Sequence, residues 1–159
     1  MNLPAMISRM QRFPASLRAL LENLPLDEAR QRGAQGQWSI LEIVCHLADE
    51  EEAAFAVRLR HTLEDPARDW PGIDPEGWAK QRDYNDRDLN GELARFAQGR
   101  DANIEWLRAL RNPDWSRTKQ HPRGALSAGD LMVSWCAHDA LHLRQIAKRL
   151  YELAQRDGP

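Results

Sequence analysis

Apolar residues recur at helical spacing over most of the chain, and polar or proline-containing stretches separate the periodic segments. A first helix is indicated by apolar residues three or four positions apart: Met6, Met10, Phe13, Leu17, Leu20 and Leu24. Pro14 lies inside this stripe, so the helix either kinks there or begins in earnest at Phe13, and Pro25 ends it. The polar stretch from 28 to 37, which contains two glycines, predicts a loop.

A second helix has a sharp predicted start. Ser39 and Glu42 have the spacing of a capping box, in which the hydroxyl and the carboxylate each satisfy a free backbone N–H. The apolar residues that follow carry this helix to about position 60 or 61: Ile40, Ile43, Val44, Leu47, Phe55 and Leu59.

A long connection follows at positions 64–86, where prolines and glycines interrupt any regular period. Trp70, Trp78 and Tyr84 give this segment too much aromatic surface for a mobile linker. We therefore expect it to be ordered and to cover part of the protein, with one short helix near 75–81. Because about two dozen extended residues can span any helix of this chain, the helices on either side of the connection need not be antiparallel neighbours.

Two further helices complete the pattern. The third covers about 89–110 and ends before Pro113, and a loop follows as far as position 126. Ser127 and Asp130 form a second capping box, which starts a fourth helix that continues to about 155. No segment has the alternation of a strand. The sequence predicts an all-α fold, a four-helix bundle with a long ordered connection between helices 2 and 3, as one domain over residues 1–159.

Charge and composition narrow the classes of function. Twenty-two Lys and Arg residues nearly balance 24 Asp and Glu residues, so the chain lacks the basic excess that nonspecific binding to nucleic acid or acidic membranes needs. No apolar run approaches the roughly 20 residues that a bilayer requires. The start of the chain has no apolar stretch of signal-peptide length, and Cys45 and Cys136 make no disulfide framework. We therefore expect a cytoplasmic protein that binds neither nucleic acid nor a membrane.

Three of the five histidines are candidate metal ligands. His138 and His142 lie four residues apart in the fourth predicted helix, so they project from one face and can hold one metal ion between them. His46, on a partly apolar stripe of the second helix, would complete a three-nitrogen site with an open position. The alternative for this spacing is a set of hydrogen-bonded core histidines. His61 and His121 are weaker candidates, the latter in a loop that is expected to be exposed.

Two sequence motifs resemble those of the DinB-like (DinB/YfiT) family. Residues 38–50, WSILEIVCHLADE, resemble the pattern W-S-x-x-E-x-x-x-H-L-x-D-x-E with which the family's second helix opens. Residues 138–146, HDALHLRQI, resemble the H-x-x-x-H-x-x-Q-I pattern of its fourth helix. The two matches stand in the same order and span most of the chain, from about 38 to 146.

The resemblance implies a bundle with a divalent metal ion, zinc or nickel, held by three histidines that fall here on His46, His138 and His142. The family includes transferases that use a low-molecular-weight thiol and proteins described as metal-dependent hydrolases, and homodimers are common in it. The favoured interpretation is a metal-dependent S-transferase with such a thiol as co-substrate. The alternatives are a metal-dependent hydrolase of a small molecule and a non-catalytic metal-binding or interaction protein.

Other residues are candidates for supporting roles. Glu50 follows His46 by four residues and is the candidate catalytic group, able to orient an imidazole or act as a base, unless it is a solvated member of the acidic run 49–52. Gln145 could bond a ligand or the substrate. The residues that could wall a pocket or simply fill the core are Trp78, Tyr84 and Trp135, and those that could receive an anionic substrate are Arg82, Arg87 and Arg144.

Overall fold

The computed structural model describes residues 1–122 and 124–158, so Arg123 and Pro159 of the predicted 1–159 domain lie outside the described residues. The helices are α1 (Leu3–Leu21), α2 (Leu26–Ala29), α3 (Ile40–Ala53), α4 (Phe55–Glu64), α5 (Pro75–Gln81), α6 (Leu89–Ala109) and α7 (Ala128–Asp157). Short 3₁₀ turns occur at Ala34–Gly36 and Tyr84–Asp86, and two strands, β1 (Thr118–His121) and β2 (Gly124–Ser127), form a hairpin. The predicted four-helix bundle is confirmed, with α1, α3–α4, α6 and α7 as its helices.

Both predicted capping boxes are present. The Ser39 hydroxyl accepts a hydrogen bond from the Glu42 amide, and the Glu42 carboxylate accepts one from the Ser39 amide. Ser127 and Asp130 make the same reciprocal pair at the start of α7. Each box satisfies backbone donors that the first turn of a helix leaves free, which is why these starts are readable from local sequence.

The predicted second helix is divided. It breaks at Ala54, whose φ of −120° and ψ of −82° are not helical, so that α3 and α4 are separate helices. No proline or glycine lies at the break to account for it. The first helix begins earlier than its apolar stripe suggests, at Leu3, and continues through Pro14. The predicted loop at 28–37 also contains the end of the one-turn helix α2 and a 3₁₀ turn.

The hairpin corrects the expectation that the chain has no strand. Its register pairs Thr118 with Ser127 and His121 with Gly124. Each strand is only four residues long, which is too short for an alternating pattern to be visible in the sequence. The pairing is decided by backbone hydrogen bonds across the hairpin, and it shortens the predicted loop before the fourth helix.

The long connection makes parallel neighbours of the second and third bundle helices. Arg95 of α6 donates to Asp49 of α3, and further along both segments Arg60 of α4 donates to Asn103 of α6. Contacts therefore advance in the same direction along α3–α4 and α6. A short hairpin loop could not produce this arrangement, whereas a long crossover can.

The fourth bundle helix runs antiparallel to the second. Gln37, just before α3, bonds Arg149 in the second half of α7, whereas Phe55 at the start of α4 stacks on Trp135 in the first half. This antiparallel pairing brings the middle of α7 against the middle of α3. The two predicted histidine-bearing helices are thus direct neighbours.

The long connection covers α3, as the sequence predicts. It contains the predicted short helix, observed as α5 at Pro75–Gln81, and both α5 and the 3₁₀ turn at 84–86 pack on α3. Asn85 accepts a hydrogen bond from the Ser39 hydroxyl at 2.6 Å and donates to the Arg30 carbonyl oxygen at 3.0 Å. Because α6 and α7 pack on the other sides of α3, every residue from 39 to 51 is buried, including acidic ones.

The core consists of two apolar clusters with a polar layer between them. Along α6, Leu93 and Phe96 belong to one cluster, Ile104 and Leu107 belong to the other, and the buried Arg100 lies between them. The same order recurs along α3–α4, and it is reversed along the antiparallel α7. The buried members of the polar layer are Asp49, Glu50, Glu51, Arg100, Asn103, Asp139 and His142, with His46 one turn away on α3.

The helices of the structure can be compared with the length and apolar character that a bilayer requires of a spanning helix. None of the helices formed by residues 1–122 and 124–158 is both long and apolar enough to cross a bilayer.

Candidate metal centre

Three imidazoles from two helices converge in the polar layer. His46 of α3 has its Nε2 3.2 Å from Nε2 of His138, and Nε2 of His142 lies 2.9 Å from the same atom. The candidate ligand atoms all lie within 4.8 Å of one another. We call these three residues the histidine cluster. The structure therefore brings together the three histidines that the sequence singles out.

Hydrogen bonding alone does not explain this convergence. Oε1 of Gln145 can only accept, so the His142 Nδ1–H donates to it at 2.7 Å, and the neutral ring then carries a lone pair at Nε2. A single N–H on Nε2 of His138 cannot point well at both His142 and His46. The N···N separations instead approach the edge of about 3.3 Å that Zn–N bonds of about 2.0–2.1 Å give in a tetrahedral site. The donor set fits a divalent ion.

Burial keeps the cluster neutral, which metal ligation requires. It lowers the pKa of His46 to about 3 and that of His138 to about 2, and it lowers the pKa of His142 as well. The proximity of the rings adds to the effect, because each protonated imidazole would repel the next. Nδ1 of His46 is buried and has no hydrogen-bond partner among the described residues.

Glu50 is a buried carboxylate on the same face of α3 as His46. It is only 5% exposed, so the alternative of a solvated acidic run does not hold for it. Its Oε1 has no hydrogen-bond partner among the described residues. Burial raises the pKa of this carboxyl to about 7, against the smaller opposing effect of Arg58.

A cleft opens beside the histidine cluster. Its volume is about 580 Å³, within the range of small-molecule sites. His46 and His142 form part of its wall, with α5 opposite; the remaining lining residues are Trp38, Ile73, Asp74, Pro75, Glu76 and Gln145. The ring of Trp38 lies 5.0 Å from that of His46, centroid to centroid. The cluster thus faces a space that a small molecule can enter.

The two other histidines lie outside the cluster. His61 is at the end of α4, with Nδ1 2.9 Å from the Asp69 carbonyl oxygen. His121 lies on β1 and is half-buried rather than exposed, because its ring packs 5.6 Å from that of Trp70. The expectation of an exposed loop histidine is therefore wrong for His121.

The three aromatic residues that the sequence offers as pocket walls or core residues pack in or against the core. Trp135 is fully buried and donates from Nε1 to Glu51, and the Tyr84 hydroxyl donates to Asp49. Trp78 packs against the core cluster that includes Tyr84. Trp38, which the sequence presents only as a motif residue, is instead the aromatic wall of the cleft.

The predicted anion-binding arginines are placed differently. Arg82 is paired with Asp49 and lies over the Trp78 ring, and Arg87 is paired with Glu92. Arg144 is exposed on α7, and none of the three lines the cleft. Sequence reasoning missed two other cations, Lys148 and Arg149, which line a neighbouring cavity. Arg149 follows His142 by two helical turns, so this spacing could have indicated that the two side chains lie on the same face of α7.

Comparison with known proteins places the chain in a family. A solved structure described as "YfiT from Bacillus subtilis is a probable metal-dependent hydrolase with an unusual four-helix bundle topology" superposes with a TM-score of 0.85 at 19% identity, covering 96% of this chain and 87% of that one. A protein of Oceanobacillus iheyensis, named a "putative metal-dependent hydrolase", is 25% identical over 142 residues, which are 88% of this chain and 81% of that protein. The sequence profile of the DinB superfamily matches residues 9–146. With most of its length matched, this chain belongs to the DinB superfamily.

Proposed function

We propose that this protein is a metal-dependent enzyme acting on a small molecule, with one divalent ion, zinc or nickel, held by His46, His138 and His142. The observation that carries the proposal is the convergence of three neutral Nε2 atoms whose contacts one N–H cannot satisfy. A divalent cation bound there would be held by His46, His138 and His142 through these nitrogens. The adjoining cleft gives a substrate access to the same point.

The residues around the cluster have separable roles. A divalent ion supplies Lewis acidity and lowers the pKa of a coordinated water or thiol. Gln145 accepts from Nδ1 of His142 and so holds that ring in the tautomer with its lone pair on Nε2. We assign Glu50 to accept the proton of the nucleophile, since its Oε1 has no hydrogen-bond partner among the described residues and it lies one turn from His46.

Hydrolysis is the reaction that these residues support best. A general base works most effectively when its pKa is near the working pH, and the Glu50 carboxyl has a pKa raised to about 7. The two relatives described above also carry names that describe metal-dependent hydrolases. Glu50 would then take a proton from water and pass it to the leaving group.

Transfer of a low-molecular-weight thiol is the second candidate, and it is the one that sequence resemblance favours. The open cleft of about 580 Å³ has room for a small thiol beside an electrophile. Glu50 could accept the thiol proton in the same way. The cytoplasmic location, the homodimer and the lack of a nucleic-acid partner stay predictions alongside it.

Metal analysis tests the site. The protein, purified without a nickel column, should carry about one divalent ion per chain, and His138→Ala should lose it. His61→Ala and His121→Ala are matched controls that remove a histidine outside the cluster, so both should keep the ion. If the wild-type chain binds no added zinc, or if His138→Ala binds it as tightly as the wild type, the site is wrong and the non-catalytic alternative gains support.

Assays of the metal-loaded protein separate the two reactions. Ester, amide and related small substrates are incubated alone, and electrophiles are incubated with a panel of thiols. Turnover without any thiol that falls at least about a hundredfold in Glu50→Gln supports hydrolysis with Glu50 as general base. Turnover that requires a thiol would reject hydrolysis in favour of S-transfer. Activity unchanged in Glu50→Gln would remove Glu50 from either mechanism.

A further inference from the structure

A second cavity adjoins the metal-side cleft. Its volume is about 250 Å³, and its lining residues are Gln37, Trp38, Ile43, Gln145, Lys148 and Arg149. Trp38 and Gln145 line both spaces, so the two are neighbours across these side chains. A molecule held at the histidine cluster can therefore extend into this cavity.

The cavity is positively charged. Among the described residues that line it, Lys148 and Arg149 carry a charge and no carboxylate is present. Glu152 pairs with both cations from outside the lining, Lys148 at 3.5 Å and Arg149 more closely, which leaves a net charge of one positive unit. A monoanion such as a carboxylate matches that charge, whereas a dianionic phosphate exceeds it.

Arg149 is held in place rather than free. Its Nη2 donates to Oε1 of Gln37 at 2.9 Å, and Nη1 is buried with no hydrogen-bond partner among the described residues. A Cβ at position 33 would lie 1.1 Å from Nη1, so the guanidinium occupies space that only a glycine leaves open. The residue is 5% exposed, and this fixed cation defines one end of the cavity.

Lys148 supplies the solvent-exposed contact. Its side chain is 57% exposed, and Nζ lies 3.3 Å from the same Gln37 oxygen that Arg149 bonds. Gln145 already bonds His142 through its oxygen, which leaves its amide N–H₂ group as a donor for a ligand. Arg149 and His142 lie on one helix face, and two turns separate them by about 10 Å along the axis.

We propose that this cavity is a subsite for a carboxylate group of the substrate, bound by Lys148 beside the fixed charge of Arg149, which lies two helical turns along α7 from His142. The inference rests on the proposed metal-dependent function and names its substrate class, a small molecule with a carboxylate at one end and the reacting group at the other. Lys148 is then a specificity-determining residue that touches the substrate away from the reacting atoms.

Two probes of equal length test the subsite. 8-Mercaptooctanoate and 8-mercaptooctanamide both offer a thiolate to zinc and differ only in their far end, a carboxylate or a neutral amide. Calorimetric titration of the zinc-loaded protein should show tighter binding of the carboxylate by about fivefold, which corresponds to about 1 kcal/mol. The preference should shrink at high salt, because ions screen an exposed pair.

Two charge-removing variants on α7 separate the subsite from the general field of the protein. Lys148→Met should lose the preference for the carboxylate and keep its affinity for the amide. Arg144→Met removes a positive charge from the same helix outside the cavity, and it should keep the preference. Zinc content is measured for each variant, so that the ligand cluster is known to be intact.

The outcomes are distinct. Equal binding of both probes to the wild type overturns the subsite and leaves the metal site standing. Equal loss of preference in Lys148→Met and Arg144→Met also overturns it, because the effect would then be general. If the protein takes up no zinc, the proposed function fails and the subsite fails with it. If the protein takes up zinc and the loaded protein binds neither probe, the subsite is overturned and the metal site stands.

Discussion

His138 and Asp139 are consecutive on α7, yet they belong to polar clusters of opposite kinds. Asp139 joins what we call the ionic cluster, in which Arg100 is bound to Asp139 at 2.7 Å and to Glu51 at 2.8 Å. His138 instead faces two other neutral imidazoles. Both clusters lie in the polar layer between the two apolar clusters, so burial alone does not distinguish them.

The difference is how completely the polar atoms are paired. All five N–H donors of Arg100 are used, two on each carboxylate and one on the Met10 carbonyl oxygen. Glu51 also accepts from Asn103 and from Trp135. By contrast, Nδ1 of His46 and Oε1 of Glu50 have no hydrogen-bond partner among the residues that the structure describes. A saturated cluster holds the helices together, whereas an unsaturated one is ready for a ligand.

Removing the central cation should have the largest effect. Arg100→Met leaves Glu51 and Asp139 as unpaired charges in the core, and the free energy of unfolding should fall by about 4 kcal/mol. Urea denaturation measures it. Arg108→Met, at the exposed end of the same helix, is the control and should change stability by less than about 0.5 kcal/mol. A loss in Arg100→Met as small as that of the control would show that the ionic cluster does not hold the bundle.

Adjacent glutamates should respond with opposite sign. In metal-free protein, Glu51→Gln should lose about 3 kcal/mol of unfolding free energy, because its carboxylate is paired with Arg100. Glu50→Gln should gain stability, by up to about 3 kcal/mol above pH 7. The folded-state pKa of Glu50 is raised to about 7 from 4.5, so the native state binds more protons within that window and stability falls as pH rises through it.

The same argument fixes the pH dependence of the Glu50→Gln gain. It should be greatest above pH 7, decline through the window, and vanish below about pH 4.5. Urea titrations across this range measure it. A loss of stability in Glu50→Gln at pH 8 would mean that Glu50 is paired as Glu51 is, and the contrast between the clusters would not hold.

Zinc should stabilise the folded protein through the histidine cluster, and this stabilisation should not require an intact ionic cluster. At about one hundred times its dissociation constant, zinc should raise the unfolding free energy by about 2.7 kcal/mol, because it binds the folded state. His142→Ala should lose this increment. Glu51→Gln, although less stable, should keep it, since its imidazoles are unchanged. An equal increment in His142→Ala would place the bound zinc elsewhere.

The smallest expected effects come from the amides that flank each cluster. Asn103→Ala removes the donor to the Glu51 carbonyl and carboxylate oxygens and should cost about 1 kcal/mol of stability. Gln145→Ala, an exposed position, should leave stability unchanged and weaken zinc binding about tenfold, because it frees the His142 ring. Denaturation and zinc titration of both variants measure the two effects. If Asn103→Ala weakened zinc binding and Gln145→Ala lowered stability, the roles assigned to the two amides would be reversed.

Local features of this chain could be predicted from the sequence because the groups involved are close along the chain. Ser39 and Glu42 are three residues apart, as are Ser127 and Asp130, and each capping box forms as predicted. The short helix at 75–81 follows from Asp74 and Pro75, since the Asp74 side chain caps it. The face shared by the two histidines of α7 follows from helical spacing alone.

Features that depend on residues far apart in the chain could not be predicted from the sequence. The acidic run 49–52 has the composition of a solvated helix face. Asp49 and Glu51 are nevertheless buried, because Arg95 and Arg100 of α6 form ion pairs with them. The break at Ala54 and the hairpin have no signal of comparable strength in the sequence. A charge pattern on one helix does not reveal which partners a second helix brings to it.

The sequence by itself determined the four bundle helices, the two capping boxes and the pairing of His138 with His142 on one helix face, because these depend on spacings of three and four residues within one helix. Only the tertiary structure decided that α3–α4 and α6 run parallel, that the three Nε2 atoms meet, and that Lys148 and Arg149 share the Gln37 oxygen across the bundle. The physical reason is range. Helical hydrogen bonds and caps are local, whereas the burial of a charge and the convergence of ligands depend on how helices pack.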